Sequence, residues 1–157
     1  MRPRRSASTI GFGSFLFVPL VAVTAAMTGC GEGRVPTYPV AGTVLVDQRP
    51  AGGAIVIFVP SATSEGAERQ RPFAMADAQG KYNLMTFEPG DGAPAGEYKV
   101  LIQWPAPVSP EAARGGGRTA VGPDRLRGKY FNLEKTDLMA TVEEQSNELP
   151  PFELKSR

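Results

Sequence analysis

Short β-rich apolar runs separated by turn residues most constrain the fold of this chain. In the clearest run, every second residue from Tyr98 to Trp104 is aromatic or β-branched, which is the period of a strand with one buried side. The run from Ala54 to Val59 is apolar throughout and favours a central strand, although periodicity alone does not exclude a helix there. Regularly spaced short strands with turn signals between them predict an all-β sandwich or barrel.

Five further segments complete a prediction of about seven strands and no helix. They are residues 40–46, 73–76, 81–86, 138–142 and 152–154. Turns are predicted over residues 47–50, 77–80, 89–96 and 145–147, which are rich in Gly, Pro, Asp and Asn. Because Pro150 and Pro151 have no N–H to donate, the last strand is expected at a sheet edge or to begin after them.

The first thirty residues have the layout of an export signal. Three arginines precede an apolar stretch from Ile10 to Met27, which Gly and Pro interrupt and which is marginal for a membrane-spanning helix. The stretch ends in Met27-Thr28-Gly29-Cys30, which resembles the lipobox of bacterial lipoproteins, although Leu is more usual than Met at its first position. The resemblance implies a signal peptide over residues 1–29 and an acylated (palmitoylated) Cys30. A lipidated tether over residues 30–39 and a domain over residues 40–157 would follow.

The same resemblance sets an expectation for localisation. Acyl chains at Cys30 would attach the exported protein to a membrane, and stable attachment needs more than one chain. Gly31 follows the cysteine where typical Gram-negative lipoproteins retained at the inner membrane have Asp. We therefore expect a cell-envelope protein in the outer membrane, facing the periplasm or the cell surface.

Composition narrows the classes of function. The 157 residues include no His, so Ser-His-Asp chemistry, His acid–base chemistry and almost all zinc sites are excluded. The net charge of +1 gives no electrostatic case for a nucleic-acid partner, and one Cys allows no intrachain disulfide. We expect a protein that is not an enzyme and that uses no cofactor or metal.

Four segments, taken in order, resemble carboxypeptidase-regulatory-like domains: residues 40–44, 50–60, 76–84 and 96–100. The C-terminal part resembles a subgroup of small bacterial lipoproteins built on that domain. The resemblance implies a transthyretin-like (prealbumin-type) Greek-key β-sandwich of about seven strands. It also implies an accessory role without catalytic residues, since the chain has neither a peptidase domain nor a His to bind zinc.

Several residues suggest sites that have simpler structural interpretations. Asp77, together with Asp91, could contribute to a Ca²⁺ site, but calcium needs six to eight oxygens and an Asx-type turn at Asp77 is favoured. Tyr98 and Trp104 could form a carbohydrate platform, but their strand spacing favours the core. Two acidic pairs could serve a hydrolase: Asp91 with Glu97, and Glu143 with Glu144. The loop serines Ser61, Ser64 and Ser109 are possible nucleophiles. No sequence signature of a catalytic pocket accompanies either set.

A long Pro-, Gly- and Arg-rich stretch over residues 106–128 contains the best candidate contact surface. Five basic residues cluster in it and just after it: Arg114, Arg118, Arg125, Arg127 and Lys129. They could dock an anionic polymer or an acidic protein patch, or simply keep a solvated loop soluble.

The function expected from these observations is a lipid-anchored, non-catalytic envelope module that binds or supports another envelope component, either protein or glycan. The alternative is a glycan-binding or transport-accessory lipoprotein, and a small hydrolase is a remote third.

Overall fold

The computed structural model describes residues 34–61, 70–108 and 122–156, and this part of the chain is all-β. Its strands form two sheets that face each other as a β-sandwich, as the sequence predicts. The strands are β1 (Val40–Val46), β2 (Arg49–Pro50), β3 (Ile55–Pro60), β4 (Phe73–Met75), β5 (Lys81–Asn83), β6 (Gly96–Gln103), β7 (Met139–Val142), β8 (Asn147–Glu148) and β9 (Phe152–Leu154).

Strand β1 is the centre of the first sheet. On one side it pairs antiparallel with β5 and with β2, to which a tight turn at Asp47 and Gln48 connects it. Both turn residues have positive φ, as a two-residue type I′ hairpin requires. On the other side β1 pairs in parallel with β8 and β9, and β9 begins after both prolines.

The second sheet has the order β4-β3-β6-β7 and is antiparallel throughout. Strand β3 lies between β4 and β6, which confirms the central position predicted from its apolar run. At the β4 edge, Phe73 and Met85 exchange backbone hydrogen bonds of 3.0 and 2.9 Å. Because Met85 follows β5, this bridge joins the two sheets along one side of the sandwich.

The core lies between the sheets and follows the alternation of the strands. Every second residue of β1 is buried, and Tyr98, Val100 and Ile102 of β6 are at most 1% exposed. The rings of Phe58 and Tyr98 lie 5.4 Å apart across β3 and β6, within the range of favourable aromatic pairs. Packing of this kind positions the surface turns described below.

Three details differ from the sequence-based prediction. Nine strands are present in the described residues instead of about seven, because the two-residue strands β2 and β8 exist only through pairing with β1. Leu101 is buried although it alternates with the core-facing residues of β6. Trp104 lies just beyond β6 and is half-buried, so the prediction of a core Trp104 holds only in part.

Candidate functional site

Residues 124–130, named the basic turn here, contain the described members of the predicted basic cluster. The carboxylate of Asp124 organises this segment. Its Oδ1 accepts hydrogen bonds from the backbone N–H groups of Trp104 (2.9 Å) and Leu126 (3.1 Å), and its Oδ2 accepts one from Gly128 (2.7 Å). One side chain thus closes the turn and attaches it to the end of β6.

Arg125 packs on the only tryptophan of the chain. The guanidinium carbon of Arg125 lies 3.5 Å from the centroid of the Trp104 ring, which is a cation–π contact. The backbone N–H of Arg125 donates to the Trp104 carbonyl at 2.9 Å. The Trp104 Nε1–H donates to the carbonyl of Gly52, which immobilises the ring from the side of β3. Arg125 therefore occupies the ring face that a stacked sugar would need there.

Arg127 and Lys129 extend the exposed basic surface. Arg127 has φ of 54°, a strained conformation for a side chain without a local hydrogen-bonding group. Lys129 Nζ lies 5.0 Å from the centroid of the Tyr130 ring. Among residues 34–61, 70–108 and 122–156, no carboxylate lies within ion-pair distance of Arg125, Arg127 or Lys129. Arg114 and Arg118, and the lipidation candidate Cys30, lie outside the described residues.

Asp77 forms the turn that the sequence favours. Its Oδ1 accepts the N–H groups of Gln79 and Lys81, each at 2.8 Å, and Gly80 has φ of 76°. Asp77 also lines an open groove of about 670 Å³ on the outer surface beside β4 and β5, where Lys81, Asn83 and Met75 lie near it. This volume is in the range of small-ligand sites, and Asp77 is the single carboxylate among its lining residues.

Asp91 closes a second turn. Its carboxylate accepts the N–H groups of Thr86 (2.7 Å), Phe87 (3.0 Å) and Glu88 (3.1 Å). Partial burial alone would raise the pKa of Asp91, but these backbone hydrogen bonds together outweigh it and lower the pKa below its ordinary value. Within the described ranges, no three acidic, Cys or His side chains are grouped so that they could bind a metal.

The remaining sequence candidates are dispersed. Tyr98 is a core residue, and its hydroxyl donates to the carbonyl of Pro94 at 2.7 Å. The Glu143 carboxylate accepts a bond from the Gln145 side chain, and Glu144 is exposed. Ser61 follows β3 and donates its backbone N–H to Glu97. Ser64 and Ser109 are outside the described part of the chain.

Two features escaped the sequence analysis. The role of Asp124 was missed because it lies in a Pro- and Gly-rich stretch that shows no periodicity. The free edge of β7, described below, was missed because strand neighbours cannot be read from a single run.

Across the described residues, no helix is long and apolar enough to cross a membrane.

Comparisons with known proteins give little. No protein-family model matches the chain, and no curated protein sequence does. Among solved structures, a similar chain is the dioxygenase domain of a dioxygenase carbohydrate-binding protein fusion from the cellulolytic bacterium Streptomyces sp. SirexAA-E. It is 16% identical, the match covers 80% of this chain and 83% of that one, and the TM-score is 0.33. A TM-score this low carries no argument about function.

Proposed function

We propose that this protein is a lipid-anchored, non-catalytic module of the cell envelope that binds an anionic envelope component through its basic turn. The observation that carries the proposal is the state of Arg125, Arg127 and Lys129. They are exposed, they project from a turn that Asp124 holds in place, and no described carboxylate pairs with them. Cations on a turn whose backbone is held in place, with no ion-pair partner among the described residues, are available to an external anion without first breaking such a pair.

The chemistry of these side chains suggests the class of partner. An arginine guanidinium can bind carboxylate or phosphate with two parallel hydrogen bonds, whereas lysine acts as a point charge. The partner would therefore be an acidic protein surface or an anionic envelope polymer. Binding of this kind weakens as salt is raised.

The anchor rests on the sequence. Residues 1–29 would be the signal peptide, Cys30 would carry the acyl chains, and the protein would lie in the outer membrane, facing the periplasm or the cell surface. Anchoring confines the domain near its partners and raises its effective concentration for them. Weak contacts through a small basic surface then suffice for occupancy.

The anchor is tested by palmitate labelling and detergent-phase partitioning of the full-length protein. We expect the wild type to incorporate palmitate and enter the detergent phase, and Cys30→Ala to do neither. Met27→Leu, which restores the usual lipobox residue, is the matched control and is expected to behave like the wild type. Absence of label from the wild-type protein would contradict the anchor.

The basic turn is tested with the detergent-solubilised protein and a native envelope extract. Replacing Arg125, Arg127 and Lys129 together by Gln is expected to lower retention of the anionic component at least tenfold. The control changes Arg49, Arg71 and Lys135 to Gln, because these exposed residues carry the same charge elsewhere on the domain and do not line the groove beside β4 and β5. Equal losses in both variants would show a nonspecific charge effect and contradict a site at the basic turn.

Glycan binding remains the second candidate, and the groove beside β4 and β5 favours it. Lys81 and Asn83 offer exposed polar groups there, and Met75 offers an apolar surface with 71% exposure. Asn83→Ala would weaken retention of an envelope glycan if the groove binds it, whereas the basic-turn variant would leave that retention unchanged.

A further inference from the structure

Strand β7 has one edge that no strand of the described residues pairs with. It pairs with β6 in the register Tyr98↔Ala140, and the Val100 N–H donates to the Leu138 carbonyl. Hydrogen-bonded pairs of this ladder therefore fall at the even-numbered residues of β7, since bonded and non-bonded pairs alternate in antiparallel sheets. The N–H and C=O groups of Met139 and Thr141 point away from β6, and no described residue hydrogen-bonds to them.

An apolar cleft runs beside this edge. It has a volume of about 170 Å³ and separates β7 from the segment that joins β8 to β9. Its lining residues are Met139, Ala140, Thr141, Leu149, Pro150 and Phe152. Met139 is 51% exposed here. The far wall of the cleft is held by β1, because the Leu149 N–H donates to the Ala41 carbonyl. Pro150 in this wall has no N–H with which to pair an incoming chain.

A more polar cavity of about 250 Å³ continues from the cleft, and Thr141 and Leu149 line both. Glu143 and Glu148 also line this cavity and are exposed. No lysine or arginine of the described residues forms an ion pair with either carboxylate. The surface beside the edge is therefore apolar at one end and negatively charged at the other.

An exposed strand edge is open to pairing with another chain. Natural sheets protect such edges by keeping the strand very short or with Lys, Pro, bulges or a covering segment, and β7, with four residues, has only the first of these protections among its own residues. Strand β7 has the sequence Met139-Ala140-Thr141-Val142, which contains none of these protecting residues. An uncharged edge with free ladder groups is suited to receiving another strand.

We propose that β7 receives an added strand from an extended peptide segment of a partner protein, and that this segment carries an apolar residue and a Lys or Arg two positions away. Side chains two apart in a strand share a face and lie about 6.6–6.8 Å from each other. The apolar side chain would occupy the cleft and the cation would face Glu143 and Glu148. Charge complementarity selects a cationic segment, so this surface is distinct from the basic turn and independent of the proposed function.

The test measures fluorescence anisotropy of a labelled, capped peptide with the central sequence Thr-Leu-Thr-Lys-Thr, titrated with the full-length protein in detergent. We expect saturable binding. Two further peptides, N-methylated at the Thr positions or at Leu and Lys, keep their side chains but each loses the donors along one edge, so one of the two is expected to bind at least tenfold more weakly. Equal binding of all three peptides would overturn strand addition.

Substitutions in β7 and the cavity locate the site. Thr141→Pro removes an outward N–H without removing a bond to β6, and it is expected to lower affinity about tenfold, whereas Thr141→Val retains the N–H and the affinity. If Thr141→Pro impairs folding, Glu148→Lys serves instead. Glu148→Lys is expected to lower the affinity for the peptide with Lys and to raise the affinity for a peptide with Glu at that position.

Three results would overturn the proposal. They are no peptide binding at millimolar concentration, loss of affinity in neither Thr141→Pro nor Glu148→Lys, and a wild-type dimer that Thr141→Pro dissociates. The last would assign the edge to a second copy of this chain. None of these results would alter retention by the basic turn, so failure here and failure of the proposed function are distinguishable.

Discussion

Two buried tyrosines show how differently one residue type can contribute to this fold. Tyr98 donates to the Pro94 carbonyl at 2.7 Å, and burial raises the pKa of its hydroxyl to about 12. Tyr82 is equally buried and stacks on Phe152, but its hydroxyl bonds to no described residue. Burial raises the pKa of Tyr82 as well. Among the described residues, Tyr82 therefore contributes to the core through its ring rather than through its hydroxyl.

We expect Tyr98→Phe to lower the free energy of unfolding by about 1 kcal/mol, because it leaves the Pro94 carbonyl without its donor. Tyr82→Phe removes a hydroxyl whose burial no protein hydrogen bond offsets, so stability is expected to be unchanged or to rise by up to about 1 kcal/mol. Urea unfolding of the two variants measures this pair. A larger loss for Tyr82→Phe than for Tyr98→Phe would contradict the structure.

Asp91 makes stability depend on pH in a defined direction. Because its pKa is lower in the folded protein, its carboxylate stabilises the fold above the unfolded-state pKa of about 3.9. That contribution is lost as the pH falls through the folded-state pKa. We expect Asp91→Asn to cost about 1 kcal/mol at pH 7, a modest value since the carboxylate is largely solvated. The cost is expected to shrink steadily as the pH is lowered below about 3.9.

The control for this titration is Asp137→Asn, which removes an exposed carboxylate that makes no hydrogen bond within the described residues. Urea midpoints of both variants and the wild type between pH 2 and 7 give the comparison. A destabilisation by Asp91→Asn that did not shrink between pH 7 and pH 2 would refute an electrostatic role for Asp91.

At the scale of elements, the sequence predicted what local patterns determine. The Asp77–Gly80 turn appears at the predicted residues, and β3 and β6 overlap the predicted apolar run and alternation with ends shifted by one or two residues. Strands β2 and β8 were not predicted, because two residues carry no period and depend on pairing with β1. The basic residues could be found because they are close together in the sequence. The role of Asp124 in orienting them could not, because it depends on a contact with Trp104, which is distant in the sequence.

Gly80, in the turn between β4 and β5, is required for two separate reasons, and comparison with Gly53, between β2 and β3, separates them. Gly80 has φ of 76°, and a Cβ there would lie 2.5 Å from the Val44 carbonyl oxygen. Gly53 has nearly the same φ, 77°, but a Cβ there meets nothing within 4 Å. We expect Gly53→Ala to cost about 1 kcal/mol and Gly80→Ala about 2–4 kcal/mol. Equal losses in thermal unfolding would mean that only the backbone angle matters.

Asp124 is expected to act as a positioning residue for the basic turn. Asp124→Ala leaves three N–H groups without their acceptor, which we expect to cost about 1–3 kcal/mol and to release Arg125 from Trp104. Acrylamide quenching of the single tryptophan reports this release directly, and envelope retention is expected to fall with it. Asp137→Ala is the matched control. Unchanged quenching in Asp124→Ala would show that the turn does not depend on this carboxylate.

On the scale of the whole molecule, the domain presents opposite charges on separate surfaces. The basic turn lies where β6 ends, and the acidic cavity lies beside β7. Tyr38 exchanges backbone bonds with Ala93, so the predicted tether joins the domain before β1 begins. At no more than about 3.5 Å per residue, the stretch from Cys30 to Thr37 would hold the proposed anchored domain within roughly 30 Å of the membrane.

The measurement that tests this account most directly is co-purification of the tagged, full-length protein from its native envelope in mild detergent, with mass spectrometry as the readout. We predict that a reproducible anionic component accompanies the wild type. It should be lost both from Cys30→Ala and from the variant with Gln at Arg125, Arg127 and Lys129. It should be retained by the charge-matched variant with Gln at Arg49, Arg71 and Lys135. Retention of that component by the basic-turn variant would contradict the central claim.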